Sequence, residues 1–111
     1  MDRLDRYRQA VTELIERYAS YKPAYGDVRS EAIIDRERDH YEVVHVGWQG
    51  ETRVHGSVIH IDIRDGKVWI EHNGTDRKIG EELVEAGVPK QDVVIGFLQP
   101  EARRLTGYAA G

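Results

Sequence analysis

The chain has no cysteine among its 111 residues, which excludes disulfides and thiolate metal sites. This suits a reducing cytoplasm, where the protein is expected to reside. No apolar run approaches the ~20 residues that a membrane-spanning helix requires, and the N-terminus, MDRLDRYRQ, carries charge where a signal peptide needs an apolar core. Asn73-Gly74-Thr75 matches a glycosylation acceptor, but without a secretory signal it reads as a chance match. An excess of positive charge is missing too: 16 basic residues are scattered among 20 acidic ones, for a net charge of −4. A protein that binds DNA alone through its phosphates is usually basic or carries a basic stripe. Arg103 and Arg104 are too small a basic spot to supply one. HExxH, GxSxG and the GK[ST] ending of a phosphate loop are all absent. No enzyme and no cofactor are therefore expected.

What is present centres on residues 54–73, VHGSVIHIDIRDGKVWIEHN. Asp65-Gly66 between two alternating apolar runs is the signal for a two-residue hairpin, and a type I′ turn needs positive φ at both residues. Counting outward pairs Arg64 with Lys67, Ile63 with Val68, Ile61 with Ile70 and Ile59 with His72. Asp62 then meets Trp69 and His60 meets Glu71 on the opposite face. One face is an aliphatic ladder for a core. The other carries two carboxylates, an imidazole and an indole.

Upstream, Asp2 to Ser20 reads as an amphipathic helix. Leu4, Tyr7, Val11, Leu14, Ile15 and Tyr18 make its stripe, Asp2 stands near the N-cap, and Asp2–Arg6 and Glu13–Arg17 are placed as i,i+4 pairs. Pro23 ends it. Tyr18, Tyr21 and Tyr25 read as rim and loop packing. Val28–Arg36 and His40–Gln49 follow as strands joined by the charged Asp35–Asp39 connection. His40–Gln49 has apolar residues on both parities, so a second cover is expected beside the helix, from the C-terminal segment or another copy of the chain. Gln49-Gly50-Glu51-Thr52 turns into the third strand and places Trp48 beside Arg53. Along that strand the apolar parity switches at Gly56, which points to a bulge. After Asn73-Gly74, Thr75 or Asp76 is positioned to cap a helix to about Ala86, with Gly87 and Pro89 behind it. Val93–Leu98 reads as a short buried strand or loop, and Pro100–Gly107 as a final short helix. The expected architecture is a single α+β domain over residues 1–111 with a four-stranded antiparallel meander.

His60, Asp62 and Glu71 share a face and offer donors to a divalent cation, yet opposite-charge strand pairs are common without function, so no metal is assigned. His40, His45 and His55 show no ligand spacing and read as structural or solvated. The side chains assigned to partner binding are Trp48, Arg53, His60, Asp62, Trp69 and Glu71, because indoles and arginines are over-represented at interfaces. At least one indole is expected to be packed within the domain.

The strings RDHY, HVGWQG, KVWIEHNGT and GVPK, taken together, resemble the XisI family, the fdxN-element excision controlling factors of cyanobacteria. The likeness runs from about Asp5 to Arg104. It implies a small factor acting in heterocyst differentiation, when a DNA element is excised by a site-specific recombinase. It also implies a XisH-like partner with a nuclease-like fold. Under this resemblance the chain is an accessory factor that binds the partner and itself as a possible homodimer, with DNA reached indirectly. The alternatives are a direct DNA-binding excision factor and an antitoxin-like inhibitor of the partner. The family implies no catalytic residues.

Overall fold

The computed structural model describes residues 2–111. Helix α1, Arg3–Ala19, begins at Asp2, whose Oδ1 accepts the Asp5 backbone N–H at 2.8 Å. Its stripe of Tyr7, Ala10, Val11, Leu14 and Ile15 is buried. The two expected i,i+4 ion pairs do not form. Arg17 instead reaches Glu82 across the helical layer at 2.7 Å, and Glu13 accepts the Gln9 side-chain amide at 3.1 Å.

Five strands follow in spatial order β1-β2-β3-β4-β5: β1 Asp27–Asp35, β2 His40–Gln49, β3 Thr52–Arg64, β4 Lys67–Asn73 and β5 Val93–Ile95. The first four form the expected antiparallel meander. The fifth corrects the strand count and pairs parallel to β4, Val68 with Val93 and Ile70 with Ile95. Parallel pairing demands a crossover, and helix α2, Ile79–Glu85, supplies it.

Helix α2 starts later than its sequence suggests and has no side-chain cap at Lys78. Thr75, one of the two expected caps, is spent on the loop before it. Asn73 Oδ1 accepts the Thr75 backbone N–H (3.0 Å) and hydroxyl (2.6 Å), and Thr75 Oγ1 accepts the Arg77 N–H. At its other end Gly87 takes φ 107°, and the Val88 N–H returns to the Leu83 carbonyl at 3.0 Å, closing a Schellman-type end. The charged β1–β2 connection is also built. Asp39, at φ 58°, accepts the Nε–H and Nη2–H of one Arg8 guanidinium edge (2.9 and 3.2 Å) and the Tyr41 hydroxyl at 2.9 Å.

Helix α1 lies on β1–β3 and α2 on β4 and β5, enclosing a core of Val11, Ile15, Tyr41, Val43, Ile59, Ile61, Val68, Ile70, Leu83 and their neighbours. The opposite sheet face is covered only in part. The segment after β5, with the short helix α3, Pro100–Arg103, folds along the sheet edge, and Ala109 bridges to Val94. It covers the β4–β5 end. Over β1–β3 the face remains open, with Ile33 and Trp48 each 49% exposed. No helix among the described residues is long and apolar enough to cross a membrane.

Candidate functional site

Two bulges decide which side chains meet on the open face. The Asp65-Gly66 turn has both residues at positive φ (52° and 76°), and the register runs as counted through Ile61–Ile70. Beyond it the register slips by one: His60 faces His72 and Ile59 faces Asn73, leaving Glu71 as the extra residue. The expected His60–Glu71 and Ile59–His72 pairs are therefore not formed. Glu71 turns toward the β5 exit instead, where a Cβ on Gly96 would run into its carboxylate. A bulge swings the extra side chain out of the strand's alternation.

The second bulge lies between β2 and β3. Val43 faces Ile59 while Val44 faces Ser57, so Val58 is the unpaired residue, two positions past the expected Gly56. Counted straight back from the Gly50-Glu51 turn, His40 would stand opposite Ile61, on the core side. The extra residue brings it opposite Asp62 on the open face. His40, read as solvated from sequence, thus becomes part of a triad. Its Nδ1 and His60 Nε2 each lie 2.8 Å from Asp62 Oδ1. The one sequence signal for this was the switch in apolar parity along β3.

The Asp62 side chain is 13% exposed and His40 is 58% exposed. The hydrogen bond to Asp62, and then its negative charge, raises the His40 pKa above the ordinary histidine value. The protonated imidazole is thus the favoured partner, and its stabilising contribution is present at acidic pH and lost as pH rises through the raised value. In an NMR titration His40 is expected to titrate above a solvated histidine, and Asp62→Asn to return it toward the ordinary midpoint. An unchanged midpoint in Asp62→Asn would remove this coupling.

The two indoles part company. Trp48 stands opposite Arg53, as counted, with the guanidinium 5.2 Å from its ring centroid, and stays half exposed. Trp69 stands opposite Asp62, also as counted, but is only 7% exposed. Arg64 stacks over its ring at 3.8 Å and Arg103 at 5.2 Å. Arg103 is held in turn by the Leu98 and Gly96 carbonyls at 3.0 and 3.2 Å. The face therefore gathers His60, Asp62 and His40 in one cluster and Trp48 with Arg53 in another. Trp69 and Glu71 lie under or beside the C-terminal segment. Ile33, which the sequence reading did not single out, adds an exposed apolar side chain on β1.

No functionally curated protein matches the chain. The family model described as XisI protein matches residues 1–110. A crystal structure of a XisI-like protein from Anabaena variabilis ATCC 29413 is 44% identical, with a TM-score of 0.91, covering 97% of this chain and 99% of that one. A second structure, described as the fdxN element excision controlling factor XisI from the same organism, is 36% identical. Its TM-score is 0.86, and the alignment covers 99% of this chain and 100% of that one. With the family model spanning residues 1–110 and a 44% identical structure superposing over nearly the whole chain, the chain belongs to the XisI family.

Proposed function

We propose that this chain is a non-enzymatic accessory factor in the control of site-specific excision of a DNA element of the fdxN type. It acts by binding a XisH-like protein through the open face of β1–β3. The excision role follows from family membership and from the 36% identical relative described as an excision controlling factor. The surface is carried by one observation above all: Trp48, half exposed on a rigid strand, ends a row with the partly exposed Val44 and Val46, and Ile33 lies on the same face of β1. A sheet face with an indole, a flanking arginine and aliphatic neighbours has the make-up of a protein interface core. A net charge of −4 without a basic stripe supports contact with DNA through the partner rather than directly.

The test is capture of partners from a cyanobacterial lysate on immobilised protein, with and without nuclease, for the native chain and for Trp48→Ala and Ile33→Asp. A XisH-like protein retained after nuclease, and lost at least about tenfold in either variant, is the expected result. Circular dichroism establishes that the variants are folded. Recovery of DNA or recombinase only in the absence of nuclease would overturn the reading in favour of direct DNA binding.

A further inference from the structure

Four polar side chains form a two-by-two grid on the open face. His40 and Glu42 belong to β2, His60 and Asp62 to β3, and the register sets His40 opposite Asp62 and Glu42 opposite His60. Both imidazoles converge on one Asp62 oxygen, at 2.8 Å each, through Nδ1 of His40 and Nε2 of His60. The three donor atoms lie within 4.8 Å of one another. Ligands bound to one tetrahedral ion at about 2.0–2.2 Å stand roughly 3.4 Å apart, so each 2.8 Å His–Asp62 contact must open by about half an ångström and the two imidazole nitrogens must close on the same ion. Because the donors come from two paired strands, their spacing is fixed by backbone hydrogen bonds rather than by a loop.

Charge points the same way. Among the described residues no lysine or arginine bonds Asp62 or Glu42. Arg64, two residues along β3 from Asp62, is stacked over Trp69 instead. We propose that His40, His60 and Asp62 bind a divalent first-row transition-metal ion of the zinc type, with Glu42 as a further carboxylate on the same face. Two imidazoles and a carboxylate suit zinc, cobalt or manganese, whereas magnesium and calcium prefer oxygen throughout and cuprous copper prefers sulfur. Three protein ligands facing outward leave coordination positions for water or for a donor from a bound protein. The metal is thus a property of the isolated chain and stands whether or not the proposed partner binds.

The experiment uses tag-free protein stripped with a chelator. Zinc is titrated calorimetrically, and cobalt is followed by its visible ligand-field absorption. The expected result is one ion per chain, weakened at least tenfold by Asp62→Asn and by His60→Gln. His55→Gln, on the same strand face but outside the grid, leaves binding unchanged. Circular dichroism checks that each variant is folded. Absence of stoichiometric binding, or binding that survives both ligand variants, would overturn the proposal and leave the triad as hydrogen bonds alone.

Discussion

Replacing Trp69 by alanine is expected to lower the unfolding free energy by about 3–5 kcal/mol, the range for emptying a buried large aromatic site. The same replacement at Trp48 is expected to change it by less than about 1 kcal/mol, as for surface residues. Both indoles lie on the same sheet face, and composition treats them alike. The difference is cover. Trp69 is 7% exposed beneath two guanidinium groups and close to the chain's last residue, Gly111, whereas Trp48 is 49% exposed under one. The indole N–H of Trp69 has no hydrogen-bond partner among the described residues, so its contribution is packing and cation–π contact, and Trp69→Phe should recover much of the loss. Urea denaturation of the three variants makes the comparison. The C-terminal segment should also become more sensitive to trypsin in Trp69→Ala, since Arg103 loses the ring it rests on. Equal midpoints for the two tryptophan-to-alanine variants would sink the distinction between packed and displayed indoles, and with it the choice of Trp48 for the interface.

Gly47→Ala is the second large effect, with an expected loss of about 3 kcal/mol or more. A Cβ on Gly47 would collide with the Asp27 carbonyl and stand 2.7 Å from Val28 Cα, both backbone atoms that cannot swing aside. The edge strand β1 would have to draw away from β2 at its start, where Val28 is buried against Gly47. For a domain of this size the loss corresponds to a fall of at least roughly 10 °C in Tm. Gly56→Ala is the control: a Cβ there meets nothing within 4 Å, and its stability should stay within about 0.5 kcal/mol of the native chain. A Gly47→Ala variant as stable as Gly56→Ala would mean that β1 does not hold this close approach in solution.

The meander, the DG turn and the amphipathic helix were legible because each repeats one periodicity over many residues. Features that hang on a single residue were not. An unpaired residue such as Val58 or Glu71 leaves no mark except a change of apolar parity, and Glu71 leaves hardly that. Once it is missed, every polar pair beyond it is displaced, which is why Glu71 was grouped with His60 and His40 was not. Asn73 and Thr75 are good helix caps, and nothing local tells that they are engaged with each other. β5 is three residues long, below the length at which alternation can be told from chance. Burial of Trp69 depends on residues more than thirty positions downstream, which no local pattern conveys.

The crossover that inserts β5 beside β4 also bears on the order in which the sheet can be completed during folding. β1 through β4 pair as successive hairpins from adjacent sequence, whereas β5 can pair only after the crossover is in place. Helix α1 precedes the sheet in the sequence, yet its Tyr7 hydroxyl donates to Asp92, 85 residues later. Until β5 arrives, β4 is an open sheet edge and the underside of α1 lacks part of its cover. Any species in which the crossover has not yet docked carries this unpaired strand, a condition that favours strand exchange with another chain.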